Sequence, residues 1–390
     1  MKKSQIYQIM TRTFFVLILI GIVSVMCSNS EIIEPVTFSK SSQTFPSSQT
    51  NDIVLGDIDG DGDYDAVFSN QGENHSQILF NDGSGYFTDS GQKLTRQGHG
   101  VETGDLDSDG DLDIFITCAG YRDNKKPSKI YFNDGKGNFA VSGQDLGDSL
   151  QSGNGVNLVD IDNDGDLDCH IFYYSYEILP YFHKIYINDG RGNFGTSDIE
   201  LPDGTYPFWG DMNNDGFKDV FLLEWGKGLR VMLNNGKSGF SEHWHLRDTT
   251  IEYGNAGIGD FDNDGDMDVI VANGGSQIVD STRVFFNDGT GKLTDSGLKF
   301  NSTKWAGITL GDLNDDGWID VFISNFNRAS EIWLNDHKGS FIDTGIRIGE
   351  KQPNAGGAVC DIDGDGDLDL LNSFYGQKDG SNSVWFNQKK

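Results

Sequence analysis

A nine-residue acidic motif, Asp-x-Asp/Asn-x-Asp-Gly-x-x-Asp, occurs seven times in this chain of 390 residues. Successive copies are separated by 48 to 55 residues, and a regular period of this length indicates a repeat architecture. The period therefore constrains the fold more strongly than any local pattern does. The copies begin at Asp57, Asp105, Asp160, Asp211, Asp260, Asp312 and Asp361.

Each repeat has the same order of short strand patterns around its acidic motif. A glycine-containing apolar stretch precedes the motif, and a second apolar run, such as residues 113–117, follows it. A third strand leads into Asn-Asp-Gly, a strong hairpin signal because these residues accept positive φ, and a closing strand such as residues 87–94 ends the unit. We therefore predict an all-β fold: a seven-bladed β-propeller with four-stranded blades, whose closure protects the strand edges.

The two ends of the chain distinguish a closed ring from a β-solenoid or a string of separate modules. The last repeat stops at Asn387 and lacks its closing strand. Residues 38–45, Phe-Ser-Lys-Ser-Ser-Gln-Thr-Phe, match the closing strand at residues 87–94 in their aromatic, Ser and Gln positions. We predict that this N-terminal strand closes the last blade, an arrangement that only a closed ring requires.

The first 27 residues have the pattern of an export signal. A positively charged start precedes an apolar run at residues 14–26, which is too short for a helix across a bilayer. Cys27 follows directly, so the segment resembles a bacterial lipoprotein signal with a lipidated cysteine; plain secretion and an uncleaved anchor are the alternatives. We expect an exported protein, lipid-anchored at the cell surface or envelope or secreted, with a linker at residues 28–36 and the propeller at residues 37–390.

The composition limits the class of partner. The 60 acidic residues outnumber the 29 basic ones, and the net charge of −31 argues against binding to nucleic acid. A hydrophobic content of 36%, arranged in regular bursts, argues against disorder. Four cysteines are too few for a disulfide scaffold, and we predict that Cys118, Cys169 and Cys360 are buried free thiols.

These motifs resemble the FG-GAP and VCBS repeat families, the calcium-binding propeller repeats related to the head of integrin α subunits. The resemblance rests on the seven acidic loops, such as Gly-Asp-Ile-Asp-Gly-Asp-Gly-Asp-Tyr-Asp at residues 56–65, and on the Asn-Asp-Gly-x-Gly-x-Phe turns. It covers residues 37–390 and implies a calcium-binding propeller. Members of such families serve adhesion, glycan binding and occasionally catalysis, so the resemblance leaves the activity open.

The acidic motif has the chemistry of a calcium loop. The side chains at positions 1, 3 and 5 point into one turn, Gly at position 6 permits the bend, and the carbonyl at position 7 and Asp at position 9 add oxygen ligands. Oxygen ligands favour Ca²⁺ over Zn²⁺, whereas a solvated Asp-Gly turn would leave the carboxylates repelling one another. We predict up to seven Ca²⁺ ions, one per blade. The expected ligands are Asp57, Asp59, Asp61, Asp63 and Asp65; Asp105, Asp107, Asp109, Asp111 and Asp113; Asp160, Asp162, Asp164, Asp166 and Asp168; Asp211, Asn213, Asp215, Phe217 and Asp219; Asp260, Asp262, Asp264, Asp266 and Asp268; Asp312, Asn314, Asp316, Trp318 and Asp320; and Asp361, Asp363, Asp365, Asp367 and Asp369.

The face opposite the acidic loops is the expected recognition face. Its connections vary in length and composition, and several combine aromatic residues with Asn or Arg, which suits a sugar ring or an extended peptide. Packing between blades is the alternative for any one of these aromatic residues. The candidate ligand-binding residues are Tyr121, Arg122, Tyr174, Tyr176, Tyr181, His183, Trp225, Arg328 and Tyr375. The aromatic residues predicted to pack between blades, because they follow the hairpin turns in register, are Phe87, Phe139, Phe194, Phe240 and Phe341.

The leading functional hypothesis is a non-enzymatic, calcium-binding module for adhesion to an extracellular glycan or protein. No Gly-x-Ser-x-Gly or His-Glu-x-x-His motif is present, and we predict no catalytic residue. One alternative is a lyase-like propeller that degrades acidic polysaccharides through basic residues on the recognition face. Another is a structural subunit of a cell-envelope complex. Contact with a membrane is expected only through a lipid on Cys27.

Overall fold

The computed structural model describes most of the chain from residue 33 onward, and the predicted signal segment with Cys27 lies outside the described residues. Residues 35–390 form one compact unit. No helix among the described residues is long and apolar enough to span a membrane. The described ranges are 33–45, 49–118, 127–147, 152–174, 182–203, 205–236, 239–250, 254–273, 281–301, 306–326, 328–349, 354–374 and 382–388.

The secondary structure of these ranges is built from β-strands. Their alternating or continuous apolar residues, interrupted by Asp-, Asn- and Gly-rich turns, favour short strands over helices. The strands are β1 Phe38–Lys40, β2 Gln49–Gly56, β3 Asp65–Gln71, β4 Gln77–Asn81, β5 Phe87–Asp89, β6 Gly98–Gly104, β7 Asp113–Cys118, β8 Lys129–Asn133, β9 Phe139–Val141, β10 Ser152–Val159, β11 Asp168–Tyr174, β12 Phe182–Asn188, β13 Phe194–Thr196, β14 Thr205–Gly210, β15 Asp219–Glu224, β16 Gly228–Asn234, β17 Phe240–Arg247, β18 Gly254–Gly259, β19 Asp268–Asn273, β20 Ser281–Asn287, β21 Leu293–Asn301, β22 Gly307–Gly311, β23 Asp320–Ser324, β24 Ser330–Asn335, β25 Phe341–Ile348, β26 Asn354–Cys360, β27 Asp369–Phe374 and β28 Ser383–Asn387.

The strands form seven four-stranded antiparallel sheets, which are the blades of a propeller. Blades 1 to 6 each take four consecutive strands, beginning with β2, β6, β10, β14, β18 and β22. The first strands pack together in six of the seven neighbouring pairs of blades, with β2 in contact with both β6 and β26, and the amide of Asn234 in blade 4 donates to Ile161 of blade 3, so that the blades form a ring. The predicted all-β, seven-bladed β-propeller is confirmed.

Blade 7 is completed by the N-terminal strand, as predicted. Its strand order is β1-β28-β27-β26, and Phe38 pairs with Asn387 across the β1–β28 ladder. The ladder ends at Lys40, so β1 is shorter than the predicted residues 38–45. The chain then leaves blade 7, and Phe45, only 5% exposed, packs against the rings of Phe68 and Phe87 in blade 1. The N-terminal segment therefore joins the last blade to the first.

The hydrophobic core lies between the blades. One cluster joins Ile58 and Ile78 of blade 1 to Val101 and Ile114 of blade 2, and equivalent clusters follow around the ring. The phenylalanines that follow the hairpin turns are buried or half-buried against these clusters, which confirms their predicted packing role. The predicted buried free thiols are also confirmed; they are Cys118, Cys169 and Cys360.

Candidate metal centres

All seven acidic loops connect the first strand of a blade to its second strand. In blade 1 the loop begins at Asp57, directly after β2, and ends at Asp65, the first residue of β3. The same connection recurs in every blade, so the loops lie at one end of the blades, as expected. The described connections between second and third strands, such as residues 72–76 and 225–227, lie at the other end.

The backbone of each loop is folded by its own Asp side chains. The Oδ2 of the position-1 Asp accepts the N–H of the position-6 Gly at 2.7–3.1 Å in all seven loops. The Oδ1 of position 5 accepts the N–H of position 7 at 2.9–3.2 Å. The position-6 Gly has φ between 86° and 100°, a conformation that residues with a Cβ rarely adopt, which explains why Gly occurs there in every copy.

Five loops bring three carboxylates together closely enough to hold a metal ion. In each, one oxygen from each of three Asp residues lies within 4.8 Å of the others, a spacing compatible with a shell of oxygens at 2.3–2.6 Å from Ca²⁺. The three residues come from positions 1, 3 and 5 in blades 1 and 7, and from positions 1, 3 and 9 in blades 2, 3 and 5. The groups are Asp57, Asp59 and Asp61; Asp105, Asp107 and Asp113; Asp160, Asp162 and Asp168; Asp260, Asp262 and Asp268; and Asp361, Asp363 and Asp365.

The position-3 Asp in these five loops has an oxygen that a cation would satisfy. Its Oδ1 is buried and accepts no hydrogen bond, an arrangement that is costly for a carboxylate. Burial, and then repulsion from the Asp at positions 5 and 1, raises the pKa of this group. A divalent ion would offset both effects, so the residues fit a metal. The five residues are Asp59, Asp107, Asp162, Asp262 and Asp363.

The position-9 Asp has a second role that the sequence did not indicate. It is at most 1% exposed in every blade, and its Oδ2 accepts the N–H of position 2 at 2.9–3.0 Å. Its Oδ1 accepts the backbone N–H of the Asn that ends the third strand, at 2.7–2.9 Å. Burial raises the pKa of these carboxyls to about 6, as for Asp65, or about 7, as for Asp113. The residue therefore fixes the loop to the blade, and in blades 2, 3 and 5 it also contributes an oxygen to the acidic group.

The Asn that ends each third strand also connects neighbouring blades. Its Nδ2 donates to the carbonyl oxygen of position 2 in the preceding blade's acidic loop at 2.7–2.8 Å, and blade 1 in this way contacts blade 7. The seven loops are consequently linked in a closed circuit of hydrogen bonds. The signal was visible as an Asn in register before every turn, but sequence analysis assigned it only to the hairpin. These residues are Asn81, Asn133, Asn188, Asn234, Asn287, Asn335 and Asn387.

The loops of blades 4 and 6 differ because Asn replaces Asp at position 3. The Nδ2 of Asn213 donates to the Oδ2 of Asp215 at 2.9 Å, and Asn314 makes the same bond to Asp316 at 2.8 Å. In both loops an amide donor therefore points at an oxygen that was expected to be a ligand.

The structure describes only part of the predicted recognition face. Trp225 is half-buried in the turn after β15, and Arg328 forms an ion pair with Glu331, which is 3% exposed. The Nδ1 of His183 lies 3.0 Å from the Nε2 of His170, and its Nε2 lies 2.9 Å from the hydroxyl oxygen of Thr205. Tyr174 is the last residue of β11. The candidates outside the described residues are Tyr121, Arg122, Tyr176, Tyr181 and Tyr375.

A cavity of about 240 Å³ lies between the first strands of blades 2 to 5. Glu102 and Asn157 are its polar lining residues beside Phe208 and Trp209. Burial, followed by repulsion from Asp52, raises the pKa of Glu102 to about 8. Sequence analysis did not identify Glu102 as functional, although an acid within an otherwise apolar, glycine-rich strand was a visible signal.

A second buried polar group extends from the same cavity. His170 Nδ1 lies 3.3 Å from the Oδ1 of Asn157, and its Nε2 contacts His183. Burial lowers the pKa of His170 well below its usual value and that of His183 to about 4. Both rings are therefore neutral at physiological pH and bridge blades 3 and 4 as hydrogen-bonding groups.

Comparisons with known proteins identify the repeat and the fold. The sequence pattern described as "FG-GAP-like repeat" matches residues 57–116, 105–171, 211–271, 260–323 and 312–371, which together exceed half of the chain. No curated protein matches the chain in sequence.

Solved structures resemble the chain over most of its length. Two crystal structures of BBS1N in complex with ARL6DN, soaked with mercury and with lead, have TM-scores of 0.57 and 0.58 and 11% identity; each covers 91% of this chain, and 98% and 97% of theirs. The V. cholerae biofilm matrix protein Bap1 has a TM-score of 0.47 and 10% identity, over 90% of this chain and 91% of its own. At these identities the BBS1N likeness shows the fold alone.

Proposed function

We propose that this chain, which belongs to the FG-GAP-like repeat family, is an exported, calcium-stabilised propeller that binds a protein partner. The observation that carries the calcium part is the buried, unpartnered Oδ1 of the position-3 Asp, repeated in five loops. Each of these oxygens lies in a group of three carboxylates that have no positive side chain among them. A bound divalent ion is the simplest compensation for such a group.

Calcium fits these loops better than other common divalent ions. The ligands are carboxylate and carbonyl oxygens, which Zn²⁺ binds less readily than Cys or His, and the flexible loop does not impose the octahedral shell that Mg²⁺ requires. With free Ca²⁺ at ten times Kd, each site stabilises the folded state by about 1.4 kcal/mol, and five sites by about 7 kcal/mol. This is comparable to the whole stability of an ordinary domain.

The calcium proposal is tested by thermal unfolding of the full chain in Ca²⁺, in Mg²⁺ and in EDTA. We expect the melting temperature to fall on the order of 10 °C from Ca²⁺ to EDTA, and Mg²⁺ to restore little of that loss. Equal melting temperatures in Ca²⁺ and EDTA, together with no retained ion after dialysis, would contradict the proposal.

A protein partner is supported by the rigid scaffold with variable connections on the face opposite the acidic loops. The similar BBS1N structures were solved in complex with ARL6DN, and so provide an example of this fold with a protein partner. The test is chemical cross-linking on intact cells that export the protein, followed by identification of the linked chains, with a glycan array run in parallel. Reproducible capture of one protein supports the proposal, whereas array binding with no captured protein would favour a glycan ligand.

A non-enzymatic role is part of the proposal. Two basic residues of the recognition face that the structure describes fall in different blades, His183 in blade 3 and Arg328 in blade 6, and both are hydrogen-bonded or ion-paired within their own surroundings. A lyase assay on uronate polymers provides the test. Product formation above that of a heat-inactivated sample would overturn the non-enzymatic assignment.

The proposed localisation is outside the cytoplasm, with a lipid on Cys27 that anchors the exported protein to a membrane. Its support is the apolar run that ends directly before this cysteine. Metabolic labelling with a palmitate analogue should label the wild type and leave Cys27→Ala unlabelled. A wild type that is exported but unlabelled would contradict the lipid anchor and favour plain secretion.

A further inference from the structure

The acidic loop of blade 6 contacts a histidine where the preceding blades have glycine. The turn after the third strand is Asn-Asp-Gly in blades 1, 2, 3 and 5 and Asn-Asn-Gly in blade 4, but it is Asn-Asp-His in blade 6, with His337 at φ 62°. In blades 1 to 5, a Cβ added to the turn glycine would lie within 3 Å of the side chain at position 7 of the same blade's acidic loop. A side chain at this position therefore necessarily meets the loop.

His337 lies against two members of that loop. Its Nε2 is 2.6 Å from the Oδ2 of Asp316 at position 5, and its ring stacks on the indole of Trp318 at position 7, with centroids 5.2 Å apart and planes 18° from parallel. The side chains of His337 and Asp316 are 10% and 13% exposed. The position-5 acids of the other six loops are all exposed.

The carboxylate of Asp316 accepts hydrogen bonds from three directions. Its Oδ1 accepts the N–H of Trp318 at 2.9 Å, while its Oδ2 is approached by the Nδ2 of Asn314 and by His337. Two N–H donors thus surround the oxygen that a metal ion would need. A cation bound beside it would face the positive ends of both donors, which the Coulomb interaction disfavours.

Blade 4 isolates the contribution of the histidine. Its loop also has Asn at position 3 and an aromatic residue at position 7, namely Asn213 and Phe217, but the turn residue is Gly236. The two loops thus share both departures from the other five, which have Asp at positions 3 and 7, and differ in the side chain that reaches position 5.

We propose that the acidic loop of blade 6 is closed by His337 and holds no calcium ion, so that this blade is stabilised without metal. This inference rests on the proposed calcium binding of the other loops. The imidazole of His337 takes the place of the ion as the partner of Asp316, and the stacked Trp318 holds the ring in position. The sequence predicted up to seven calcium ions, and the closure of blade 6 lowers this maximum to six.

The test compares the wild type with His337→Gly, which restores the glycine of the preceding blades at a position whose φ suits it. Equilibrium dialysis against Ca²⁺ gives the number of ions per chain, and we expect the variant to bind one more than the wild type. Terbium luminescence locates the added ion, because energy transfer from a tryptophan falls steeply with distance and Trp318 would lie at the new site. We expect Trp318→Phe to reduce the luminescence of His337→Gly and to leave that of the wild type unchanged.

The reciprocal exchange is made in blade 4. Gly236→His combined with Phe217→Trp reproduces the stacked pair of blade 6, and both residues are changed together because a Cβ at residue 236 would lie 2.5 Å from the phenylalanine ring. We expect blade 4, where no histidine reaches Asp215, to hold an ion more weakly than the five loops with three close carboxylates, so this double variant should bind one ion fewer than the wild type in saturating Ca²⁺. Circular dichroism in saturating Ca²⁺ checks that each variant retains the wild-type fold.

The outcomes separate the two proposals. Equal ion numbers for the wild type and His337→Gly, or a wild-type terbium signal that depends on Trp318, would overturn the closure of blade 6 while leaving calcium binding elsewhere intact. A chain that binds no Ca²⁺ in any form would overturn the proposed calcium function itself.

Discussion

The side-chain amide of Asn133 in blade 2 donates to the carbonyl oxygen of Ile58 in blade 1 at 2.7 Å, across 75 residues of sequence. Ile58 is position 2 of an acidic loop, and its N–H is in turn held by Asp65. The same pair of contacts recurs in every blade, so the backbone of each loop is fixed partly by the next blade. Closure of the ring and the geometry of the acidic loops are therefore coupled.

Asn133→Ala should destabilise the chain by about 2–3 kcal/mol, because the carbonyl of Ile58 is left buried without a partner. Chemical denaturation in saturating Ca²⁺ measures the effect. Asn138→Ala is the matched control, since Asn138 is exposed and bonds only within its own turn, to Asp134. It should change stability by less than about 0.5 kcal/mol. Equal effects of the two substitutions would remove the structural role assigned to Asn133.

The N-terminal segment should be indispensable for the ring. Deleting residues 37–46 removes β1 and Phe45, and we expect a cooperative loss of folding rather than the loss of one strand. Phe45→Ala is a milder test of the same closure, and it should lower the free energy of unfolding by about 3–5 kcal/mol because a buried aromatic ring is lost. Tyr86→Ala, at a side chain 58% exposed, is the control. An unchanged melting temperature for the deletion would mean that the ring does not need this closure.

The sequence predicted what depends on repetition and on local turn chemistry. The repeat period predicted the seven blades, and the match between residues 38–45 and 87–94 predicted the closure of blade 7. Both predictions follow from comparing copies of one repeat unit along the sequence. The bends of the acidic loops followed from Asp at position 1 and Gly at position 6, which act within five residues of each other. These features need no knowledge of how the blades are placed.

The features that sequence analysis missed depend on the placement of neighbouring elements. The contact between Asn133 and Ile58 requires the stacking of two blades, and that between His337 and Asp316 requires a turn to lie over a loop 21 residues away. The short β1 has the same origin, since Phe45 packs on blade 1 instead of continuing the β1 ladder. A single repeat unit carries none of this information.

Asp107→Asn should change the stability in opposite directions with and without calcium. In EDTA the substitution removes a half-buried carboxylate whose pKa is raised by burial and by repulsion from Asp109 and Asp105, so we expect stabilisation. In Ca²⁺ it weakens a ligand and should destabilise the chain by about 1 kcal/mol, the effect of a several-fold higher Kd at one site. Melting temperatures in the two conditions measure both effects. The same sign in both conditions would show that this loop does not respond to calcium.

Glu102 should make stability depend on pH. Burial raises the pKa of its carboxyl from 4.5 to about 8, so the folded chain retains a proton that the unfolded chain loses above its own pKa. Between about pH 4.5 and pH 8 the folded state binds more protons, and its stability contribution from Glu102 falls as the pH rises. Below this range both states are protonated and Glu102 contributes no pH dependence.

Glu102→Gln removes this effect and keeps the shape of the side chain. Its stability relative to the wild type should rise by up to about 1.4 kcal/mol per pH unit between pH 5 and pH 8. Unfolding is measured in saturating Ca²⁺, which keeps the loop carboxylates ionised. Glu73→Gln is the control, because Glu73 is 92% exposed, and its difference from the wild type should be the same at both pH values. A difference between Glu102→Gln and the wild type that does not grow with pH would show that Glu102 is already ionised in the folded chain at pH 5, despite lining the cavity between the first strands.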